Sequence, residues 1–234
     1  MPEKLGSGTE PIGRERVDTA GAGLYNLPHR PPGWTEMIAG IVLAAGMSRR
    51  MGRLKQLLPL GDRRVIQVVV EQILDHVDRL FVVLGYRSDE VAAVLAGYPI
   101  EVVLNEAYEL GMTSSIRCGV AAAATADAYL LCLGDQPGVE ATTVERLTWT
   151  RQESGRGLVI PCSEGRRGHP ILIGAGYTAE ILSMSDDTPF NSFTRGHPED
   201  TIEVVLATAR IHDDMDTQDD YEREQLHFRG RSEG

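Results

Sequence analysis

The sequence has few aromatic residues and an excess of negative charge, and both features exclude a class of function. Phe, Trp and Tyr make up 6% of the 234 residues, whereas proteins that bind single-stranded nucleic acid stack bases on aromatic side chains. The formal net charge is -11, whereas binding to the phosphate backbone requires a basic surface. We therefore predict that nucleic acid is not a partner. Any anionic ligand must be bound locally, by a few cations and backbone amides.

Cysteines and long hydrophobic runs are also scarce. Cys118, Cys132 and Cys162 show no CxxC or Cys/His spacing, so no zinc site is predicted. Cys118 and Cys132 lie in apolar or small-residue runs and are expected in the core, whereas Cys162 is near a polar segment and could be exposed. An odd number of cysteines favours a reducing compartment. No apolar run is long enough to cross a bilayer, so we expect a cytoplasmic protein without a membrane partner.

Two common phosphate-binding motifs are absent. The sequence contains no GxxxxGK[ST] and no GxGxxG after its first hydrophobic strand, which argues against a P-loop protein and a dinucleotide-binding fold. Residues 1–36 contain five of the 12 prolines and show no helical or strand period. We predict a flexible N-terminal extension over residues 1–36, one domain over residues 37–228, and a tail over residues 229–234.

From Met37 onward, buried hydrophobic segments alternate with amphipathic ones. The runs "MIAGIVLAA", "RLFVVLGY", "IEVVLN" and "AYLLCLGD" are typical of strands buried on both faces. Helical spacing of apolar residues, as in "RRVIQVVVEQILDHV", separates them. This alternation predicts an α/β fold with a mostly parallel sheet covered by helices. Ligands of such sheets bind beyond the carboxyl ends of the strands, so the segments that follow each strand are the candidate site.

The first of these segments follows a buried strand with small residues and then with positive charge. Alanine and glycine let the backbone turn and approach a ligand closely, and the exposed N–H groups of such a turn form an anion-binding concavity. Arg49 and Lys55 add cations. The nucleotide-binding residues that this reasoning predicts in the loop are Ala44, Ala45, Gly46 and Gly52. The segment is predicted to hold a triphosphate, and the alternative is an ordinary turn with surface arginines.

The loop sequence "LAAGMSRRMGRLK" resembles the signature of the MobA-like NTP transferases, and most closely that of the molybdenum cofactor cytidylyltransferases. The segments "GMTSSIRCG", "LGDQP", "GRRGHPIL" and "MDTQDDY" continue the resemblance in the same order, from about Met37 to Leu226. The resemblance implies that Leu43 and Ser48 also bind the nucleotide. It implies a Rossmann-like three-layer sandwich of the nucleotide-diphospho-sugar transferase type. It also implies a nucleotidyltransferase that uses Mg²⁺ to move CMP from CTP onto the terminal phosphate of a molybdopterin-type cofactor. A molybdoenzyme is then a candidate partner.

Two aspartates are candidate metal ligands. Asp135 ends a buried strand in "LGDQP", and Mg²⁺ prefers one or two carboxylates together with phosphate and water. The resemblance assigns Asp135 to magnesium and to catalysis, together with Lys55 and Arg49. It also suggests Asp216 of "MDTQDDY" as the second ligand. Alternatively, Asp135 caps the following turn, and Asp216 belongs to a solvated acidic run or caps the last helix.

Two further segments are predicted to contact the substrates. Asn105, Ser114 and Ser115 flank a strand end and a helix start, where hydroxyl and N–H groups can bind a nucleotide. The alternative is ordinary helix capping by Thr113 or Ser114. The resemblance places "GRRGHPILI" near the acceptor, and its predicted acceptor-binding residues are Arg166, Arg167 and His169. The alternative for this segment is a hairpin tip with solvated arginines.

The sequence departs from the cytidylyltransferase pattern in one segment. Those enzymes carry a Gly-Asp-x-Gly-Ala-Arg-like segment, and the matching region here is "SMSDDTPFNSFTRGHPED", in which Asp186 or Asp187 and Arg195 are the loose counterparts. A sugar phosphate or another small phosphate therefore remains an alternative acceptor. A non-catalytic maturation factor for a molybdenum hydroxylase is an alternative of another class. A glycosyltransferase would want an Asp-x-Asp motif, which occurs only near the C-terminus, at residues 214–216.

Overall fold

A computed structural model of the chain describes residues 15–18 and 31–232. In this part of the chain the strands are β1 (Glu15–Asp18), β2 (Ile38–Ala44), β3 (Pro59–Leu60), β4 (Arg63–Arg64), β5 (Arg79–Leu84), β6 (Glu101–Leu104), β7 (Ala128–Leu133), β8 (Leu158–Ser163), β9 (Arg166–Arg167), β10 (Ile171–Gly174) and β11 (Thr201–Val205). The α-helices are α1 (Val65–Leu74), α2 (Ser88–Val94), α3 (Met112–Ala122), α4 (Ala141–Ser154), α5 (Thr178–Ser183), α6 (Phe190–Gly196) and α7 (Gln218–Ser232).

Nine of these strands form one sheet with the spatial order β1-β11-β8-β10-β7-β2-β5-β6, and β9 pairs with β8. All neighbouring pairs are parallel except those that involve β9 and β10. β3 and β4 form a separate hairpin. The predicted α/β fold with a mostly parallel sheet is confirmed. The carboxyl ends of β2, β5, β6, β7, β8 and β11 consequently meet at one edge of the sheet.

The alternation of side chains along β2 explains why helices cover both faces of the sheet. Ile38 and Val42 belong to a core cluster that includes residues of α1, α2 and α4. Ile41 and Leu43 belong to a second cluster that includes residues of α3, α5 and α6. Successive strand residues point to opposite faces, so an unbroken apolar strand requires two apolar layers around it. The three-layer sandwich follows from this requirement.

Both ends of the predicted domain differ from the prediction. Residues 1–36 are predicted to form a flexible extension, but residues 15–18 form β1, which pairs in parallel with β11 and is part of the sheet. Residues 1–14 and 19–30 lie outside the described residues. At the other end, α7 continues to Ser232, so most of the predicted tail, residues 229–234, belongs to that helix.

The three cysteines differ in burial. Cys162, which could be exposed according to the sequence, is only 1% exposed because it lies inside the sheet in β8. Cys132 is buried and Cys118 is partly exposed. Within residues 15–18 and 31–232, no helix combines the length and the apolar character needed to cross a membrane.

Candidate active site

The loop between β2 and Lys55 folds back on itself. Ser48 and Gly52 adopt left-handed backbone conformations, with φ of 49° and 63°. The Met51 N–H donates to the Ser48 carbonyl at 3.1 Å. The Lys55 N–H donates to the Ser48 hydroxyl, also at 3.1 Å. These bonds bring Lys55 back to the start of the loop, at the carboxyl edge of the sheet.

The Lys55 ammonium lies between two carboxylates. Its Nζ is 3.0 Å from Oδ2 of Asp135 and 2.5 Å from Oδ1 of Asp216. Burial alone would lower the pKa of Lys55, but the two neighbouring carboxylates outweigh this effect and the pKa is raised. Lys55 is therefore protonated at neutral pH. We call these three residues the Lys55 cluster.

Three strand ends build the Lys55 cluster. Lys55 comes from the loop after β2, Asp135 follows β7, and Asp216 follows β11 through a longer connection. The Met215 N–H donates to the Asp135 carbonyl at 3.3 Å, which joins the two carboxylate-bearing segments. The structure thus brings together three side chains that were predicted independently from different motifs.

Arg50 also contacts this cluster, although the sequence analysis assigned the cationic role to its neighbour. Arg50 forms an ion pair with Asp216. The hydrogen bond from Lys55 and the charge of Arg50 help to lower the pKa of Asp216. Arg49 is exposed, and its guanidinium contacts the Met47 sulfur at 3.6 Å. The consecutive arginines were visible in the sequence, but which one turns toward Asp216 depends on the loop conformation.

A glutamine behind the cluster was not predicted. Gln136 is 3% exposed, and its Nε2 donates to Oδ1 of Asp214 at 2.6 Å and to the Ile211 carbonyl at 3.3 Å. Partial burial and the charge of Asp135 raise the pKa of Asp214. Gln136 follows Asp135 directly, and Asp214 precedes Asp216 by two positions. This hydrogen bond therefore provides a second tie between the two segments. The "LGDQP" motif contained the signal, but only its aspartate was interpreted.

The donor set of the Lys55 cluster fits a divalent cation. Two carboxylates approach the same cationic atom, Lys55 Nζ, from different segments. Mg²⁺ is typically held by one or two carboxylates, with substrate phosphates and water completing the shell. Among residues 15–18 and 31–232, no group of three or more His, Cys, Asp or Glu side chains is arranged to hold a metal ion. Asp135 and Asp216 stay the candidate ligands that the sequence analysis named.

Asn105, Ser114 and Ser115 lie close together but bind one another. The Asn105 amide donates to both serine hydroxyls at 3.0 Å. The Ser114 hydroxyl in turn lies 2.8 Å from the Gly111 carbonyl. All three side chains are at most 7% exposed. The network fixes the start of α3 beside the carboxyl edge, and a role of these side chains in nucleotide recognition stays a prediction.

Gly85 lets the segments after β2, β5 and β6 approach one another. A Cβ atom at this position would lie 2.5 Å from Cβ of Tyr108 and 3.0 Å from Cβ of Ala45. Real Cβ atoms do not approach other atoms this closely, so only glycine fits between the loop and Tyr108. The rings of Tyr108 and Tyr86 lie 6.4 Å apart, centroid to centroid. The loop after β2 is thereby held against the segment that leads into α3.

A cavity of about 740 Å³ lies beside the start of α3. Its charged and titratable lining residues are Arg166, Arg167, His169, Asp186, Asp187 and Arg195. It therefore contains the three predicted acceptor-binding residues and the loose counterparts that the sequence analysis named. Met112 and Thr113 of α3 also line it. We call it the arginine cavity.

The three predicted acceptor-binding residues have different environments. Arg166 is exposed, and its side chain forms no ion pair or hydrogen bond within residues 15–18 and 31–232. Arg167 is paired with the buried Glu203. Burial, with a contribution from His212, lowers the pKa of His169 to about 4. His169 is therefore neutral at pH 7 and can offer a hydrogen bond but no positive charge to an acceptor phosphate.

Comparisons with known proteins agree with this architecture. Residues 40–202 match the MobA-like NTP transferase domain. Nicotine blue oxidoreductase of Paenarthrobacter nicotinovorans is 32% identical over 188 residues, which are 77% of this chain and 92% of that protein. Molybdenum cofactor cytidylyltransferase of Escherichia coli (strain K12) is 28% identical over 183 residues, with the same coverage of 77% and 92%.

A solved structure shares the fold. The crystal structure of Rv0371c from Mycobacterium tuberculosis H37Rv in complex with manganese has a TM-score of 0.70 and 27% sequence identity, and the match covers 82% of this chain and 99% of that one. Sequence and structure comparisons therefore agree with the α/β architecture and the loop motif described above. The chain belongs to the MobA-like NTP transferase family and is a nucleotidyltransferase.

Proposed function

We propose that the chain transfers CMP from CTP onto the terminal phosphate of a molybdopterin-type cofactor and releases pyrophosphate. The observation that carries this proposal is the Lys55 cluster, in which a protonated ammonium and two carboxylates meet beside a loop of small residues. A cation close to two potential metal ligands is the arrangement that a triphosphate requires, because its charge must be neutralised on several oxygens.

The acceptor phosphate attacks the α-phosphorus of CTP. A new P–O bond forms, the bond to the β-phosphate oxygen breaks, and pyrophosphate leaves with the electron pair. A phosphate monoester has a second pKa of ~6, so at neutral pH the attacking oxygen is already an anion and needs no general base. Catalysis then depends on positioning and charge neutralisation.

Each part of the loop has a role in this reaction. The backbone amides of Ala45 and Gly46, together with Arg49, hold the β- and γ-phosphates. The ammonium of Lys55 turns from the carboxylates toward the transferring phosphate and neutralises its charge. Asp135 and Asp216 would hold Mg²⁺. Such an ion would supply charge neutralisation to the phosphates of the bound nucleotide.

The choice of CTP rests on one residue and one relative. In the MobA-like family, the cytidine-specific branch carries Leu-Ala-Ala-Gly in this loop, whereas the guanosine-specific branch carries Leu-Ala-Gly-Gly. Ala45 stands at the position that distinguishes the two branches. A cytidylyltransferase is also among the relatives. The arginine cavity supports an anionic acceptor larger than phosphate, because it offers about 740 Å³ and three arginines. A molybdoenzyme that receives the product is the proposed protein partner.

Calorimetric titration of CTP, GTP, ATP and UTP with Mg²⁺ tests the nucleotide. We expect preferential binding of CTP that is weakened in Lys55→Ala and partly kept in Lys55→Arg, which retains the charge. Preference for another nucleotide would contradict the assignment of CTP. Failure of all four to bind would contradict the proposed function.

Pyrophosphate release tests the reaction and the acceptor. We expect release when CTP, Mg²⁺ and reduced molybdopterin-type cofactor are all present, and none when the cofactor is replaced by a sugar phosphate. Because one relative carries the name of an oxidoreductase, pyrophosphate is the readout that decides between transfer and other chemistry. Release with the sugar phosphate alone would contradict the proposed acceptor.

A further inference from the structure

A buried carboxylate connects the arginine cavity with the N-terminal strand. Glu203 lies in β11 and is 1% exposed. Its Oε1 accepts a hydrogen bond from Nε of Arg167 at 2.8 Å, and its Oε2 accepts one from Nε of Arg16 at 2.8 Å. A buried charge is tolerated only when it is paired. Here each oxygen of the carboxylate has its own guanidinium.

The two guanidinium groups keep Glu203 ionised. Burial alone would raise the pKa of Glu203, but the hydrogen bonds from Arg167 and Arg16 outweigh it, and the pKa is lowered. A charged Glu203 is therefore a fixed anchor for both arginines at neutral pH.

On the cavity side, this anchor determines how Arg167 is presented. Nε of Arg167 binds Glu203, and Nη1 donates to the Thr194 carbonyl at 2.9 Å. Nη2 has no hydrogen-bond partner within residues 15–18 and 31–232. Because Arg167 lines the cavity, two fixed N–H contacts leave the third nitrogen available to an anionic ligand. A planar guanidinium held in this way loses little freedom on binding.

The charge balance of the cavity also depends on Arg16. Three arginines and two aspartates line the cavity, and His169 is neutral. Asp186 of the lining is in addition paired with Arg117 at 2.8 Å. Glu203 places a negative charge behind Arg167, and Arg16 offsets that charge from the far side of Glu203. Without Arg16, the positive charge at and behind the cavity would be lower by one unit.

The backbone places Arg16 at this position. β1 pairs in parallel with β11, and the register sets Arg16 beside Glu203. Glu15, on the same strand, forms an ion pair with Arg156, which does not line the cavity. β1 therefore has two polar anchors, and only one of them leads to the arginine cavity.

We propose that Arg16 is a positioning residue of the acceptor site: through Glu203 it holds Arg167 in place and offsets the negative charge that Glu203 places behind the cavity. The N-terminal strand is then part of the acceptor site. This inference rests on the proposed function in so far as the cavity receives a phosphorylated acceptor.

The test compares anion binding by full-length variants. Inorganic phosphate is titrated calorimetrically into the wild type, Arg16→Met, Arg16→Lys and the control Glu15→Gln, with and without saturating CTP and Mg²⁺. The Arg16 side chain is 47% exposed although its partner Glu203 is buried, so solvent weakens its effect and we expect the phosphate Kd to rise only about 3- to 5-fold in Arg16→Met. Arg16→Lys should restore most of the affinity, and Glu15→Gln should bind as the wild type does.

Two further readouts separate positioning from general loss of structure. The side-chain Nε–H resonance of Arg167 should shift or broaden in Arg16→Met but not in Glu15→Gln. In turnover assays with the molybdopterin-type acceptor, the KM of the acceptor should rise while kcat and the KM of CTP stay within about 2-fold.

Several outcomes would overturn the inference. These are wild-type phosphate affinity in Arg16→Met, an equal loss in Glu15→Gln, or no phosphate binding by the wild type. The proposed function is judged separately, by CTP binding and pyrophosphate release. Loss of CTP binding with an intact Arg16 effect would contradict only the proposed function, and CTP turnover without an Arg16 effect would contradict only the inference.

Discussion

The Lys55 cluster and the arginine cavity handle charge in opposite ways. In the cluster, one ammonium is neutralised by two carboxylates within 3.0 Å. In the cavity, the Arg166 side chain has no partner among the described residues, and Arg167 keeps one nitrogen without a hydrogen bond there. In the proposed reaction the first arrangement would exchange partners when a triphosphate and a metal enter, whereas the second offers donors that are already free. Substrate charge should therefore matter for turnover at the cluster and for affinity at the cavity.

The largest expected effect comes from removing a carboxylate of the cluster. Asp135→Asn keeps the shape of the side chain but removes the charge that faces Lys55 and a metal ion. Metal-assisted charge stabilisation contributes several kcal/mol, so turnover should fall by roughly 10³-fold or more. Pyrophosphate release at saturating substrates measures this. The control is Asp219→Asn in the exposed start of α7, which should behave as the wild type. A wild-type response to Mg²⁺ in Asp135→Asn would show that the metal binds elsewhere.

A slightly smaller loss of turnover than in Asp135→Asn is expected when Lys55 is replaced. Lys55→Ala removes the cation that neutralises the transferring phosphate, and by analogy with lost oxyanion donors turnover should fall by about 10²–10³. Lys55→Arg retains the charge and should recover part of the loss. The same assay at several CTP concentrations distinguishes kcat from KM. Near-wild-type kcat in Lys55→Ala would remove Lys55 from the chemistry.

For His169, which lines the arginine cavity, we predict an effect on the pH dependence of folding stability rather than on turnover. The folded protein keeps His169 neutral down to its pKa of about 4, whereas the unfolded chain protonates it below the model-peptide value of 6.5. The unfolded state therefore binds more protons in this window, and stability is lost as the pH falls from 6.5 toward 4. Between pH 7.5 and 5 the loss attributable to His169 is about 2 kcal/mol. Urea unfolding of the wild type and His169→Gln at both pH values measures it, and equal pH dependence in the two proteins would contradict the prediction.

The smallest effect is expected at Arg166. Arg166→Met removes an exposed donor of the cavity without disturbing a partner, so we expect the KM of the acceptor to rise about 10-fold. The kcat and the KM of CTP should be unchanged, because the Lys55 cluster is built from other segments. Steady-state kinetics with each substrate varied in turn provides the test. A change confined to the KM of CTP would mean that the cavity and the cluster are not separate subsites.

The Lys55 cluster could be predicted from the sequence more completely than the arginine cavity, for a physical reason. Lys55, Asp135 and Asp216 each follow a strand, and carboxyl ends of parallel strands converge at one edge whatever the details of packing. Their proximity was therefore predictable from the strand pattern and the motifs. Arg50, Gln136 and Asp214 were missed because their contacts depend on loop conformations that no residue pattern specifies.

The cavity was predictable only in part. Arg166, Arg167 and His169 were predicted as a group from one motif, and the structure brings Asp186, Asp187 and Arg195 beside them. That His169 is neutral follows from its burial, which the sequence does not report. Glu203 was missed because a charged residue inside a hydrophobic strand acquires a role only when its partners, Arg16 and Arg167, are known.

The sequence alone determined the α/β fold, the mostly parallel sheet and the edge of the sheet at which the candidate site lies, because hydrophobic alternation and strand-end motifs are local properties of the chain. The tertiary structure decided which charges meet. β1 joins the sheet beside β11, and Arg16 reaches Arg167 only through Glu203, at sequence separations of 187 and 36 residues. Such contacts depend on how the strands are ordered in the sheet, and strand order is a property of the packed molecule rather than of any segment.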